Sequence, residues 1–213
     1  MANYYKNHDE DEDEEEDRQN KNKNEIFIIK PKSSSMSIYF YDEIYPANQY
    51  RKLIEEIGNL GEDDEINMHF ACDGGVVSGM TAIINALNRS PALIRSHLDS
   101  HAYSAAAIMF LCAQEWVVSP GTSLMFHNYS GGLEGKGHEL GSALNHQNSL
   151  FRGIYDLYCA DFLTKKEIDD IFAGMDLYIS ADDIKVRLDG LVKARKAELE
   201  KKIKGLTKRN ATK

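Results

Sequence analysis

Apolar positions recur along this chain with two periods, and the period changes often. Ser37–Asp42 (SIYFYD) and Ile66–Ala71 (INMHFA) alternate or run apolar over six residues, as half-buried strands do. Between them, Leu53, Ile54, Ile57 and Leu60 fall at helical spacing within 48–60. A second helix is expected over 78–87, with Met80, Ile83, Ile84 and Leu87 on one side and Pro91 stopping it. Strands are expected at 93–98, 116–118 and 124–129, and an alanine-rich apolar helix at 103–114. Strand–helix–strand thus repeats three times. Such short units suit an α/β core with parallel strands better than a dinucleotide fold with its usual loops.

The last third reads as helix. From His138 to Phe162, Leu140, Leu144, Leu150, Ile154, Leu157 and Tyr158 recur at intervals of three and four. The opposite face carries Asn145, Gln147, Asn148 and Arg152. A helix of about seven turns in so short a chain is expected to project and pack on another subunit. Thr164, with Glu167 three positions on, and Ser180, with Asp182 and Asp183, read as caps of two further helices.

Charge divides the 213 residues further. Residues 9–17 are nine consecutive carboxylates; without them the chain carries 25 acidic and 25 basic residues. A stretch so charged and so poor in apolar side chains is expected to be a disordered tail over 1–24. The segment 193–213 is instead basic, a net of +7, and is expected as a surface helix to about Lys204 with a frayed end. The compact domain is placed at 25–192. A net charge of −9 argues against a general nucleic-acid binder. Cys72, Cys112 and Cys159 match no zinc or iron–sulfur spacing and point to a reducing, cytoplasmic setting. The longest apolar run, Ala105–Ala113, is nine residues, against the ~20 that cross a bilayer.

Three side chains are placed where chemistry could gather. Ser104 lies after a strand at the opening of the apolar helix, near free amides and the positive helix end. His127 ends the strand that starts at Leu124, and Asp176 lies between two expected helices in GMDLY. Reacting groups in α/β sheets collect beyond the carboxyl ends of strands. There an imidazole can take the serine proton, a carboxylate can hold the imidazole's tautomer, and the Gly75 and Ala105 amides can receive an oxyanion. A serine at a helix start is more often a cap, and a histidine beside a strand more often structural. Composition and spacing leave those readings open.

From about Ser37 to Val192 the chain resembles the proteolytic subunit of the Clp protease, the ClpP family, within the crotonase-like superfamily. DGGVVSGMTAIINAL is similar to the family's glycine pair and following helix. HAYSAAAIMFLCA is similar to its nucleophile segment, MFHNY to its histidine segment, and DLYISADD to its acidic segment. The resemblance implies an α/β spiral of ββα units with a projecting handle over 130–163. It also implies Ser104 as nucleophile, His127 as base, Asp176 as the acidic member, and Gly75 and Ala105 as oxyanion donors. It departs at Tyr103, Ala105–Ala106, Cys72–Asp73 and Asn128–Tyr129. The implied function is a serine endopeptidase acting on unfolded or delivered proteins inside a homo-oligomeric chamber of heptameric rings. No cofactor is expected. The resemblance also implies a separate ATPase that unfolds substrates, and the chain has no G-x-x-x-x-G-K-[ST] of its own. A phage head-maturation protease, an inactive scaffold subunit and crotonase-type chemistry on a coenzyme A thioester are the alternatives.

Overall fold

The computed structural model describes residues 28–29, 35–132 and 134–210. The acidic segment 1–24 lies outside the described residues. The framework is one seven-stranded sheet: β1 (Ile28–Ile29), β2 (Ser35–Phe40), β3 (Glu65–Cys72), β4 (Leu93–Tyr103), β5 (Glu115–Val118), β6 (Ser123–Phe126) and β7 (Leu177–Ser180). Among the described residues, six helices accompany it: α1 (Arg51–Gly58), α2 (Val77–Arg89), α3 (Ala105–Leu111), α4 (Gly137–Tyr158), α5 (Lys165–Phe172) and α6 (Ala181–Asn210). A 3-10 turn, Ala47–Tyr50, leads into α1.

The strand order is β1-β2-β3-β4-β6-β7, with β5 also paired to β4. The interior pairs are parallel, as the repeated strand–helix–strand pattern requires, and only β1 and β7 run antiparallel to their neighbours. β4 is eleven residues long, against the six expected, because on the side away from β3 it serves two partners in turn. Arg95–Leu98 pair with β5, and His101–Tyr103 pair with β6. This lets the chain carry the sheet past β5 to the edge where β6 and β7 lie.

Alternation decides which face is covered. Met36, Ile38 and Phe40, then Ile66, Met68 and Phe70, then Ile94 and Leu98, are buried at every second position. α3 is buried on all sides, so it reads as uniformly apolar rather than amphipathic. The opposite face is half-buried and polar, with Tyr39, His69 and His97 stacked at centroid spacings of 4.6 and 4.4 Å.

Two expected elements come out differently. Residues 177–180 are a strand, not a helix flank, because they pair with β6 from Phe126↔Leu177 to Ser123↔Ser180. α6 runs unbroken from Ala181 to Asn210, past the helix end expected near Lys204. The first turns of α4 are exposed, and its inner face is Phe151, Ile154 and Tyr155. Leu144, Leu150 and Leu157, expected on the apolar face, are exposed. Thr164 accepts from the Glu167 amide in a full capping box, and the Ser180 hydroxyl accepts from the Asp183 amide.

Candidate active site

Parallel pairing puts the ends of β3, β4 and β6 on one edge of the sheet. Gly74–Gly75 follow β3, Ser104 follows β4 and His127 follows β6. β7 runs the other way, so its first residue, Leu177, and the preceding Asp176 come to the same edge.

Ser104 begins α3 with φ 55° and ψ −123°, the one non-glycine residue with positive φ among those described. Such a conformation costs about 1–3 kcal/mol and persists only where its surroundings enforce it. Here the Ser104 amide donates to the Met125 carbonyl at 2.8 Å, while its own carbonyl accepts from Ala107. The hydroxyl makes no capping hydrogen bond to the helix. It lies instead 2.7 Å from His127 Nε2. The commoner reading of a helix-start serine, a cap, does not hold here.

His127 is half-buried, and its carbonyl accepts from the Tyr155 hydroxyl at 2.8 Å. That bond ties the histidine backbone to α4. Tyr155 was not singled out by spacing, since nothing in the apolar periodicity of α4 marks one aromatic residue as a hydrogen-bond donor. Burial raises its phenol pKa well above the ordinary range, so it stays protonated and keeps donating.

Asp176 is exposed. Extending the β6–β7 register by one residue sets it opposite His127. Among the described residues, no hydrogen bond joins the two side chains. The structure thus brings Ser104 and His127 into contact and leaves Asp176 beside them.

The glycine pair is built for close approach. Gly74 has φ 103° and Gly75 φ 141°. A Cβ on Gly74 would stand 2.8 Å from Ser104 Cβ and 2.7 Å from the Tyr103 carbonyl oxygen. The Gly74 carbonyl and the Val76 amide form the bridge to Ile44, at 2.6 and 2.7 Å, which leaves the Gly75 amide out of it. The Ala105 amide belongs to the first turn of α3, before the helix's own bonds begin. Cys72 steadies this turn: its thiol donates to the Asp42 carbonyl at 2.6 Å and its sulfur accepts from the Gly74 amide at 3.4 Å. Burial pushes the thiol pKa up to about 11, so Cys72 stays a neutral donor. A cleft of about 350 Å³ opens beside the glycines, lined by Tyr41, Asp42, Glu43, Ala71, Asp73 and His101 as well as the pair itself.

Tyr103, the bulky residue before the serine, points to the other face of the sheet. Its hydroxyl is 2.9 Å from Ser123 Oγ, and its ring meets Tyr178 edge-on.

The fold and this edge define an α/β protein that sets a strained serine hydroxyl against an imidazole, with glycine amides adjoining. Residues 20–203 match the family model of the Clp protease, and the chain belongs to that family of peptidases, with the ClpP-like α/β fold. No curated protein matches it. Among the described residues, no helix is long and apolar enough to cross a membrane.

Proposed function

We propose that the protein is a serine endopeptidase in which Ser104 attacks the peptide carbonyl. His127 takes the hydroxyl proton and returns it to the leaving amine. The Gly75 and Ala105 amides hold the tetrahedral oxyanion. Water then cleaves the acyl-enzyme by the same proton route. The observation that carries this reading is the 2.7 Å contact between His127 Nε2 and the Oγ of a serine held at positive φ. In the productive form the imidazole accepts through Nε2, which leaves its Nδ1 proton for a carboxylate. Asp176 takes that role in this proposal, because the strand register sets it opposite His127. Catalytic hydrogen bonds of this kind often tighten only on assembly or substrate binding.

The substrates are unfolded or delivered protein chains, reached inside a homo-oligomer. The exposed leucines of the projecting α4 support the assembly. A separate ATPase supplies unfolding, and the compartment is the cytoplasm. The domain runs over 25–192, with 130–163 as its handle.

One observation favours a scaffold subunit instead: the described structure has no hydrogen bond between Asp176 and His127. A fluorophosphonate probe decides between the two. The endopeptidase reading expects covalent labelling of the wild-type oligomer and none of Ser104→Ala. An assembled, folded wild-type protein that stays unlabelled overturns it.

A further inference from the structure

α3 is only seven residues, about 10 Å long, so a displacement at one end reaches the other. Its first turn presents Ser104. Its last turn leaves carbonyls that the helix cannot satisfy, and these are buried. Two side chains from elsewhere take them. The Trp116 indole on β5 donates to the Phe110 carbonyl at 2.8 Å. Arg195, on α6 and more than eighty residues away, donates to the Leu111 carbonyl at 2.8 Å and to the Ala113 carbonyl at 2.7 Å. Its guanidinium also lies over the Trp116 ring, 5.4 Å from the centroid. A planar fork that grips two carbonyls and rests on an indole fixes direction as well as distance, which an ammonium cannot do.

We propose that Arg195 is a positioning residue for Ser104: its grip on the end of α3 sets where the nucleophile stands relative to His127. The proposal rests on the endopeptidase reading of Ser104. It makes the C-terminal helix part of the active-site support rather than an appendage. Arg195 makes no contact with Ser104 or His127 and acts on them through α3. Displacing a reacting group by about 1 Å can cost about a hundredfold in rate.

The test compares Arg195→Ala and Arg195→Lys with Arg187→Ala in the full chain. Arg187 is a fair control. It also joins α6 to the body, through Glu167, the Phe162 carbonyl and the Phe162 ring, but it does not touch α3. The readouts are the rate of fluorophosphonate labelling, kcat and KM on a short fluorogenic peptide, and thermal melting. Arg195→Ala is expected to lower the labelling rate and kcat together, by about 10- to 100-fold, with KM within about twofold. Arg195→Lys recovers part of the loss, and it carries the test if the alanine variant does not fold. Arg187→Ala melts earlier but labels at the wild-type rate once folded. Labelling of the folded Arg195 variants at the wild-type rate overturns the proposal, as does a loss that Arg187→Ala reproduces. A wild-type protein that never labels overturns the nucleophile reading, and this proposal falls with it.

Discussion

Ser104 is held at positive φ by its neighbours rather than by its own preference. Its amide is taken by the Met125 carbonyl, and Gly74 closes on it from the side. Any side chain on Gly74 would meet Ser104 Cβ and the Tyr103 carbonyl oxygen within 3 Å, and its φ of 103° disfavours L residues in any case. Gly74→Ala is therefore expected to cut the rate of active-site labelling about a hundredfold or more while leaving the core strands intact. Stopped-time labelling beside a circular dichroism melt checks it. At this scale the sequence showed the candidates but not their contact. A histidine twenty-three positions away is one of seven in the chain, and only the pairing of β4 with β6 puts it beside Ser104.

The helices and strands show a second level of dependence. α5 is short, and its start is secured by a capping box in which Glu167 also receives Arg187 from α6, at 2.7 and 3.0 Å. The Arg187 guanidinium, helped by the Thr164 amide and hydroxyl, holds the Glu167 carboxyl down to about 2. A carboxyl depressed on folding adds stability above its ordinary value of about 4.5, and that contribution is lost as pH falls toward about 2. Glu167→Gln should thus cost about 1–2 kcal/mol at pH 7. The difference from wild type should shrink as urea melts are taken from pH 5 to pH 2.5. The cap was legible from Thr164 and Glu167 alone, because a capping box is local in sequence. The salt bridge from α6 was not, since it depends on how two helices cross. β7 escaped for a related reason: its four residues, LYIS, carry too little periodicity to declare a strand, and pairing with β6 makes it one.

In the whole molecule, α4 stands out from the body with its first turns exposed, and Leu144 and Leu150 remain about half accessible. Exposed leucines along one projecting helix fit the proposed contact with another copy. Leu144→Asp combined with Leu150→Asp is expected to weaken assembly about tenfold or more in light scattering, with the monomer's helical content unchanged. An assembly of wild-type size and concentration dependence would place the contact elsewhere.

By itself the sequence determined the alternation of strands and helices, the parallel core, the helix caps and the candidate set of Ser104, His127, Asp176, Gly75 and Ala105. Those follow from periodicities and motifs that are local, or from a resemblance carried by short segments. The tertiary structure decided which of these residues meet. β4 had to run eleven residues to reach both β5 and β6, β7 had to reverse to bring Asp176 to the same edge, and α6 had to cross the end of α3. Contacts between residues twenty to eighty positions apart depend on sheet order and helix packing, and no local pattern of apolar and polar positions encodes those.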